Sequence, residues 1–251
     1  MRDDAIQRHC AEIDRCNQRG GRMLSIVDLI GAGTLGADLA AYALAAIGAG
    51  ASFLVGARPG GAGKTTVMGA LLNFVPADVP LAPAESMAAI QRGLQSPTPR
   101  RCYVCHEIGS GHWYAYLWGA ELRAYLQLPE AGHMMATNLH ADTYEQARQQ
   151  IVEQNRVPEA AFRRMNLLFF LAVERSGFRI RRRLVTVWES DGQNPHRQVF
   201  PAVPSSSGVE PGGLVSPDAV AEARETIGRL LAGGSTIEEV RAAILTRTRG
   251  P

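Results

Sequence analysis

The sequence contains a single lysine, Lys64, among its 26 basic residues, and this lysine lies within a glycine-rich segment. An apolar run at residues 53–55 leads into the segment, residues 58–66 with the sequence RPGGAGKTT, and a second apolar run follows it. A strand, a glycine-rich turn and a helix in that order place backbone N–H groups and a helix N-terminus around a bound anion. The segment therefore constrains this part of the fold to a β-loop-α unit and predicts a phosphate-binding site.

Each residue type in this loop has its own task. Glycines let the backbone approach the anion, the Lys64 ammonium reaches the terminal phosphates, and the Thr65 hydroxyl ligates Mg²⁺. The strict pattern has glycine where this chain has Arg58, although the following glycines can supply the turn. The alternative is an exposed lysine in an ordinary connection, and the use of arginine at every other basic position argues against it. The expected phosphate-binding residues are Gly60, Gly61, Ala62, Gly63, Lys64, Thr65 and Thr66.

Composition narrows the class of protein. The 251 residues, 46% hydrophobic and 20% charged, exclude a disordered chain and suit a globular core. A net charge of +2 gives no reason to expect direct binding of nucleic acid. Four cysteines predict reduced thiols, and the charged N-terminus argues against a signal peptide. Glycines interrupt the uncharged stretch at residues 39–57, so we expect a cytoplasmic protein that does not span a membrane.

The order of the apolar runs predicts an α/β fold. Strand and helix signals alternate from residue 24 to about residue 190, which is typical of a layered α/β core. The predicted strands are residues 53–55, 102–108, 134–138, 167–173 and 179–188. The predicted helices are residues 38–47, 64–74, 85–94, 113–128 and 144–154.

The same patterns divide the chain into four parts. Residues 1–20 carry apolar side chains at helical spacing and predict an N-terminal helical arm, and residues 21–190 form the core. Residues 191–216 are rich in Pro, Gly and Ser, which predicts a flexible linker. Residues 217–251 predict a pair of C-terminal helices.

A second glycine motif competes with the first. Residues 31–36 match the dinucleotide-binding pattern G-x-G-x-x-G and follow residues 24–30, a plausible strand. Arg58 would then bind the 2′-phosphate of NADP, and the chain would be an NADP-dependent oxidoreductase. Asp28 weakens this alternative, because it would lie in a strand that is buried on both faces. A glycine turn at a helix end is the simpler interpretation.

Two residues downstream of the loop are candidates for catalysis. Glu107 lies at the end of the predicted strand 102–108, and His140 follows the predicted strand 134–138 together with Asn138. The carboxyl ends of parallel strands meet at the edge of the sheet where ligands bind, and phosphoryl transfer needs an acid there to position Mg²⁺ or water. A surface carboxylate and a core or capping histidine are the alternatives.

Two further patterns have weaker interpretations. Cys102, Cys105 and His106 spell the haem-attachment motif C-x-x-C-H, but no second pair with zinc-ligand spacing accompanies them, and we expect neither metal nor haem. Arg179, Arg181 and Arg183 alternate along one face of a predicted hairpin strand. They predict a solvated or subunit-facing edge, with phosphate or nucleic-acid contact as the lesser alternative.

In their order along residues 23–190, these motifs resemble the secretion ATPase superfamily of type II and type IV secretion, pilus and conjugation machines. They are most similar to its tight-adherence and conjugation branch. The motifs that carry the resemblance are residues 34–40 before the P-loop, the P-loop unit at 49–76, the Walker B strand with His106-Glu107-Ile108, the histidine box at 131–141, and a closing hairpin at 167–190 that ends in Glu189.

The resemblance implies a RecA-like P-loop NTPase core with a small C-terminal helical extension, and ATP and Mg²⁺ as cofactors. It implies an ATP-hydrolysing motor subunit in which Thr65 holds Mg²⁺, Glu107 orients the metal, through water, or the attacking water itself, and His140 senses the terminal phosphate. It further implies a homo-oligomeric ring, with six as one candidate number of subunits. The expected partner is an inner-membrane platform protein, so the motor would be cytoplasmic or peripheral at the inner face of the membrane.

The sequence departs from the family in three places. Glu85 is the one carboxylate left of the acidic Asp box, Gly109 stands where an arginine usually follows Walker B, and about 20 residues replace the usual N-terminal domain. Glu85 remains a candidate catalytic residue, and these departures predict weak hydrolysis. They also leave open a degenerate member of the superfamily that binds nucleotide as a structural or regulatory module.

Overall fold

The computed structural model describes residues 2–17, 20–96, 98–111, 113–176, 179–200, 213–233 and 236–247. These residues form an eight-stranded sheet with the order β2-β3-β5-β1-β6-β7-β8, and β4 pairs with β3. The strands from β2 to β6 in this order are parallel, and β7 and β8 are antiparallel. The strands are β1 (Phe53–Gly56), β2 (Leu81–Pro83), β3 (Cys102–Ile108), β4 (Tyr116–Leu117), β5 (Met134–Leu139), β6 (Leu167–Ser176), β7 (Arg179–Glu189) and β8 (Arg197–Phe200).

Helices cover both faces of the sheet, because successive side chains of a buried strand point to opposite sides. Phe53 and Val55 of β1 belong to one apolar cluster, and Leu54 belongs to the other. This sheet, with parallel strands from β2 to β6, confirms the predicted α/β fold class. The helices are α1 (Arg2–Arg15), α2 (Ile26–Gly31), α3 (Ala37–Gly48), α4 (Lys64–Leu72), α5 (Met87–Gln95), α6 (Ala120–Tyr125), α7 (Tyr144–Arg148), α8 (Glu159–Arg163), α9 (Pro217–Gly233) and α10 (Ile237–Arg247), with a 3₁₀ turn at Leu128–Ala131 and a π-helical turn at Gln149–Gln154.

Residues 24–30, the plausible strand of the dinucleotide alternative, are not a strand, because Ile26–Gly31 form α2 with Ser25 as its N-cap. The Ser25 hydroxyl accepts a hydrogen bond from the Asp28 amide, and the Asp28 carboxylate accepts one from the Ser25 amide at 2.8 Å. This reciprocal capping box stabilises a helix start. The glycine motif at residues 31–36 therefore joins two helices. A dinucleotide fingerprint requires a strand before the glycines, so the NADP alternative loses its structural basis.

The predicted helix at residues 113–128 is shorter than expected. Residues 116–117 pair with β3 as β4, and α6 begins only at Ala120, after Gly119 with φ 61°. Trp113 and Tyr114 precede this pairing and are exposed, with Trp113 72% accessible. The apolar and aromatic residues of this stretch therefore serve two elements, which periodicity alone does not separate.

The terminal helices pack on the same core as the sheet. The predicted N-terminal arm is α1, and its apolar stripe is buried in the cluster that also holds α3, α4, α9 and α10. The helix α9 lies against α3 and buries Ala223, Ile227 and Leu230. In α10, the buried Arg241 guanidinium donates hydrogen bonds to the carbonyls of Asn73 at 2.9 Å, Val75 and Pro76, just beyond α4.

The segment expected to be a flexible linker contains a strand. Residues 197–200 form β8, which pairs with β7 opposite residues 187–189, so this part of the segment extends the sheet. Residues 201–212 of the predicted linker lie outside the described residues. The uncharged stretch at residues 39–57 divides between α3 and β1. Within the described chain, no helix combines the length and the apolar character needed to cross a membrane.

Candidate functional site

The glycine-rich loop connects the carboxyl end of β1 to the first turn of α4. Gly61 and Gly63 adopt φ of 80° and 95°, the left-handed region that glycine enters without strain. Gly63 is the N-cap of α4 and supplies no side-chain hydrogen bond, so the first N–H groups of the helix lack a side-chain cap. This geometry is that of an anion-binding helix N-terminus, and it agrees with the predicted phosphate loop.

Gly56 explains how closely the neighbouring strands approach the start of this loop. A Cβ atom at Gly56 would lie 2.6 Å from the Ala141 carbonyl oxygen and 2.6 Å from the Phe170 ring. The strand β1 lies between β5 and β6, and both neighbours crowd its tip. Glycine at this position therefore lets the residues that follow β5 reach the loop.

Lys64 lies at the centre of a buried polar cluster. Its side chain is 8% accessible, and its Nζ donates a hydrogen bond to the Ala57 carbonyl at 3.2 Å. The same Nζ lies 3.4 Å from Oε2 of Glu107 and 3.3 Å from Nδ1 of His140. Residues from the ends of β1, β3 and β5 thus meet within contact distance, as the sequence predicted for Lys64, Glu107 and His140.

Glu107 is buried with only half of its carboxylate engaged. Oε2 faces Lys64 and His140, whereas Oε1 has no hydrogen-bond partner among the described residues. Burial raises the pKa of the Glu107 carboxyl, against the opposing effect of the Lys64 and His140 charges. A buried acceptor without a partner suits a ligand or a metal-bound water that would supply the missing hydrogen bond.

His140 bridges the loop and the Glu107 carboxylate. Its Nδ1 donates a hydrogen bond to the Arg58 carbonyl at 3.0 Å, and its Nε2 lies 3.6 Å from Oε2 of Glu107. The His140 side chain is 51% accessible, so the ring edge faces open space as well as the cluster. The bond to Arg58 orients the ring and leaves Nε2 directed to the site.

Arg58 fits the loop through its backbone, although the strict pattern has glycine there. The Arg58 amide donates to Oδ1 of Asp142 at 2.7 Å, and its carbonyl accepts from His140. Both backbone groups are therefore used to tie the loop to the segment after β5. The side chain is exposed and does not disturb this arrangement.

Asn138 and His106 lie beside the cluster. Asn138 is buried, and its Nδ2 donates to the His106 carbonyl at 2.8 Å, while its Oδ1 has no partner in the described part of the chain. This bond joins β5 to β3 next to Glu107. Burial lowers the pKa of the His106 imidazole, and the Tyr114 ring packs against it edge-on at 5.2 Å between centroids.

The remaining predicted residues differ in their placement. Thr65 and Thr66 are half-buried in the first turn of α4, Ala62 is buried, and Gly60 is exposed. Glu85 is exposed beyond the carboxyl end of β2, next to β3 and three places from β1 in the sheet order, and no hydrogen bond or ion pair of the described residues joins it to Glu107 or His140. The structure therefore does not bring Glu85 into the cluster around Lys64.

Glu85 lies instead next to Tyr114. Burial raises the pKa of the Tyr114 phenol to about 12, and a hydrogen bond to Glu85 and the charge of that carboxylate add to the effect. This contact gives Glu85 a local structural role. Its position as a catalytic residue finds no geometric support.

The C-x-x-C-H motif does not form a chelating group. Cys102 and Cys105 point to opposite faces of β3 and belong to different apolar clusters. Burial raises the pKa of both thiols to about 12, which disfavours the thiolate that binds metal. In the described residues no group of three His, Cys, Asp or Glu side chains could hold a metal ion.

Arg182 is a site residue that the sequence patterns missed. Its Nε donates a hydrogen bond to the Gly61 carbonyl at 3.2 Å, whereas Arg181 and Arg183 are exposed on the other face of β7. Arg182 shares its face with Leu184, which is buried in the core. The alternation along β7 could therefore have indicated the face of Arg182, because residues two positions apart in a strand share a face and Leu184 is an apolar residue of the core.

Solved structures similar to this chain include ATPases of secretion systems. One is the VirB11 ATPase of the Brucella suis type IV secretion system in complex with sulphate, with 18% identity over 64% of this chain and 54% of that chain, and a TM-score of 0.44. The others are the ATPase DotB of Legionella pneumophila, with 12% identity, 81% and 58% coverage and a TM-score of 0.41, and DotB of Yersinia pseudotuberculosis, with 12% identity, 82% and 60% coverage and a TM-score of 0.40.

This chain therefore spans between 54% and 60% of the length of these three structures. No protein-family model and no curated protein matches the sequence. The residues of the site, rather than these distant likenesses, support the function proposed next.

Proposed function

We propose that this chain is an ATP-binding and ATP-hydrolysing motor subunit of a secretion or type IV pilus-like assembly system. The observation that carries the proposal is the convergence of Lys64, Glu107 and His140 at the open end of a phosphate loop, each from a different parallel strand or its connection. This arrangement positions charge around a transferring phosphoryl group. Positioning and electrostatics are what such a reaction asks of a protein.

In this proposal the loop binds the nucleotide through its backbone. The N–H groups of residues 61–65 would donate hydrogen bonds to the phosphates, and Lys64 would turn from Glu107 towards the terminal phosphate. The Thr65 hydroxyl and, through water, the Glu107 carboxylate would hold Mg²⁺, which supplies positive charge to the terminal phosphate oxygens when bound. The partnerless Oε1 of Glu107 fits that water shell.

Glu107 and His140 would then serve hydrolysis. Oε1 of Glu107 accepts a hydrogen bond from the attacking water and orients it towards the terminal phosphorus. His140 donates through Nδ1 to the Arg58 carbonyl, and this bond orients the ring beside the transferring group. The burial of Lys64 and Glu107 keeps bulk water from their contact, which strengthens it.

The finer assignments belong to the same proposal. The motor would work as a ring of copies of this chain, for which six is one candidate number, on the cytoplasmic face of the inner membrane beside a platform protein. The tight-adherence and conjugation branch is the subfamily that the sequence motifs favour. The C-terminal helices of this chain would form part of the motor body, since α9 and α10 pack on the core.

A second candidate function is nucleotide binding without efficient turnover. The observation that favours it is the exposed position of Glu85, which leaves the site without an acidic residue from β2. Gly109 also stands two residues after Glu107 where the family carries an arginine. In this alternative the chain is a structural or regulatory module that responds to nucleotide.

The experiment that tests the proposal measures ATP hydrolysis as a function of protein concentration for the natural chain and for Lys64→Ala. We expect specific activity to rise with concentration and to vanish in Lys64→Ala, because removing the ammonium leaves the phosphates without their main cation. ATP affinity is measured in parallel by calorimetry. Arg92→Ala is the matched control, since Arg92 is an exposed cation on α5, away from the site.

The outcomes separate the candidates. ATP binding without turnover at any concentration would favour the binding module. Unchanged ATP affinity in Lys64→Ala, or no binding of ATP by the natural chain, would contradict both. Equal losses in Lys64→Ala and Arg92→Ala would show that the effect is a general one of charge.

A further inference from the structure

The β6–β7 hairpin extends beyond the strand that carries the phosphate loop. β6 pairs with β1 only over residues 167–170, whereas its pairing with β7 continues to the end of β6 at Ser176. The distal part of the hairpin therefore stands past the carboxyl edge of β1. The Leu184 amide donates a hydrogen bond to the Thr34 carbonyl at 2.7 Å and fixes the base of this extension.

The inner face of the hairpin contacts the loop through Arg182. Its Nε donates to the Gly61 carbonyl at 3.2 Å, and its Cδ lies 3.1 Å from the position that a Cβ atom on Gly63 would occupy. Any side chain at residue 63 would therefore press on Arg182. The close approach brings a guanidinium against a loop that otherwise presents backbone groups.

The charge balance of the site indicates what the contact between Arg182 and the loop could contribute. Lys64 is paired with Glu107 at 3.4 Å, so the two buried side chains together bring no net charge to a bound anion. A polyphosphate carries several negative charges, and a cation held at the loop would add to the positive charge that Mg²⁺ supplies when bound. Arg182 holds a guanidinium at the loop, and among the described residues the Gly61 carbonyl is bonded to its Nε alone.

We propose that Arg182 is a second phosphate-binding cation of this site, supplied by the hairpin of the same chain. The inference rests on the proposed function and adds a specific residue to it. Nε keeps the loop in place through Gly61, while the terminal amino groups of the fork donate to phosphate oxygens of the nucleotide. The planar fork has N–H donors for both contacts at once.

Three variants separate charge from support of the loop. Arg182→Gln keeps a donor for the Gly61 carbonyl and removes the charge, whereas Arg182→Lys keeps the charge. Arg181→Gln removes the neighbouring arginine, which is exposed on the opposite face of β7, and is the matched control. The measurement is the Kd for ATP by calorimetry at several salt concentrations, with the thermal midpoint of each nucleotide-free protein.

We expect Arg182→Gln to weaken ATP binding about tenfold, as the loss of a charge-assisted hydrogen bond predicts. The salt dependence of its Kd should be shallower than that of the natural chain, because fewer screened charges contribute. Arg182→Lys should retain most of the affinity, and Arg181→Gln all of it. The thermal midpoints should agree, because both arginines are exposed.

Other results would overturn the inference. Natural affinity in Arg182→Gln, or a loss in Arg182→Lys as large as in Arg182→Gln, would show that the charge of Arg182 does not act on the phosphates. An unchanged salt dependence in Arg182→Gln would do the same. If the natural chain binds no ATP, both the proposed function and the inference fail. If the natural chain binds ATP and Arg182→Gln binds it equally well, the inference alone fails.

Discussion

Glu107 occupies a position that costs the folded protein free energy. Its carboxylate is 6% accessible, one oxygen faces Lys64, and the other has no partner in the described residues. Buried acceptors of this kind are uncommon in folded proteins, and they concentrate where a ligand completes the hydrogen bonding. Substitution of Glu107 is therefore the sharpest test of hydrolysis at a single residue.

We predict that Glu107→Gln lowers ATP hydrolysis by at least about 100-fold, the usual range for loss of a group that activates water. ATP binding should persist, because the loop and Lys64 are unchanged. In the natural chain, burial raises the Glu107 pKa, so acidification protonates this carboxyl at a higher pH than an exposed glutamate near 4.3. Hydrolysis by the natural chain should therefore fall along an acidic limb that lies above that value.

The pH profile provides the control for this prediction. The residual activity of Glu107→Gln should lack the acidic limb, since glutamine does not titrate. Glu121→Gln, which changes a carboxylate in the first turn of α6, should hydrolyse ATP as the natural chain does. Full activity in Glu107→Gln would exclude this residue from the reaction.

At the scale of single elements, the helix α4 is held at both ends. Lys64 of its first turn contacts Glu107, and the carbonyls that follow its last turn accept hydrogen bonds from Arg241 of α10. Burial lowers the pKa of Arg241 to about 10, so the guanidinium remains charged at neutral pH. A cation at a helix C-terminus also interacts favourably with the helix dipole.

We predict that Arg241→Ala lowers the free energy of unfolding by roughly 2 to 4 kcal/mol, because it removes this donor from the buried carbonyls of Asn73 and Val75. Urea unfolding followed by circular dichroism measures the change. Arg229→Ala on α9 is the control, since Arg229 is exposed and its contact with Glu225 is 4.0 Å long, and it should cost less than about 0.5 kcal/mol. Similar losses in both variants would argue against a specific role for the Arg241 contacts.

The elements with strong local signals could be predicted from the sequence. β1, β3, β5 and the phosphate loop each combine an apolar run with a distinct turn, so their bounds differ from the predictions by a residue or less. Residues 24–30 were a plausible strand only within the dinucleotide alternative, because a short apolar run fits either structure. Ser25 and Asp28 at capping-box spacing were the local sign of a helix.

The composition of the site was less predictable than its strands. The meeting of Glu107 and His140 with Lys64 follows from parallel strands that end at one edge, which the sequence indicates. The separation of Glu85 from the cluster could not be predicted, because β2 lies next to β3, the strand that carries Glu107. The alternation of β7 indicates the face on which Arg182 lies, but its contact with the loop also depends on how far the hairpin extends past β1, and no local pattern reports that length.

At the scale of the whole molecule, the N-terminal and C-terminal helices pack against the same side of the sheet. α1, α3, α4, α9 and α10 share a single apolar cluster, so the predicted helical arm and C-terminal pair contribute to the core that supports the loop. The salt bridge between Arg224 and Asp38, 2.7 Å long, joins α9 to α3 at the surface of this contact. The terminal segments are therefore expected to unfold together with the sheet.

We predict that Ile227→Asp destabilises the entire chain by roughly 3 to 5 kcal/mol, because it places a carboxylate where the natural side chain is 1% accessible. Unfolding should remain a single transition by circular dichroism and by tryptophan fluorescence. Glu225→Ala, exposed on the same helix, should leave the midpoint unchanged. A separate early transition of the C-terminal helices, with the sheet unaffected, would contradict a shared core.

One side chain described above gives the molecule an internal optical reporter. Trp188 stacks on Tyr144 at 4.4 Å between ring centroids, whereas Trp113 stands 72% accessible in the connection that follows Glu107. An indole in water emits at longer wavelength than a packed one and is open to quenching by iodide. A ligand or partner that covers this connection will shift the emission of Trp113 and protect its indole from iodide. Binding there can therefore be followed without an attached dye.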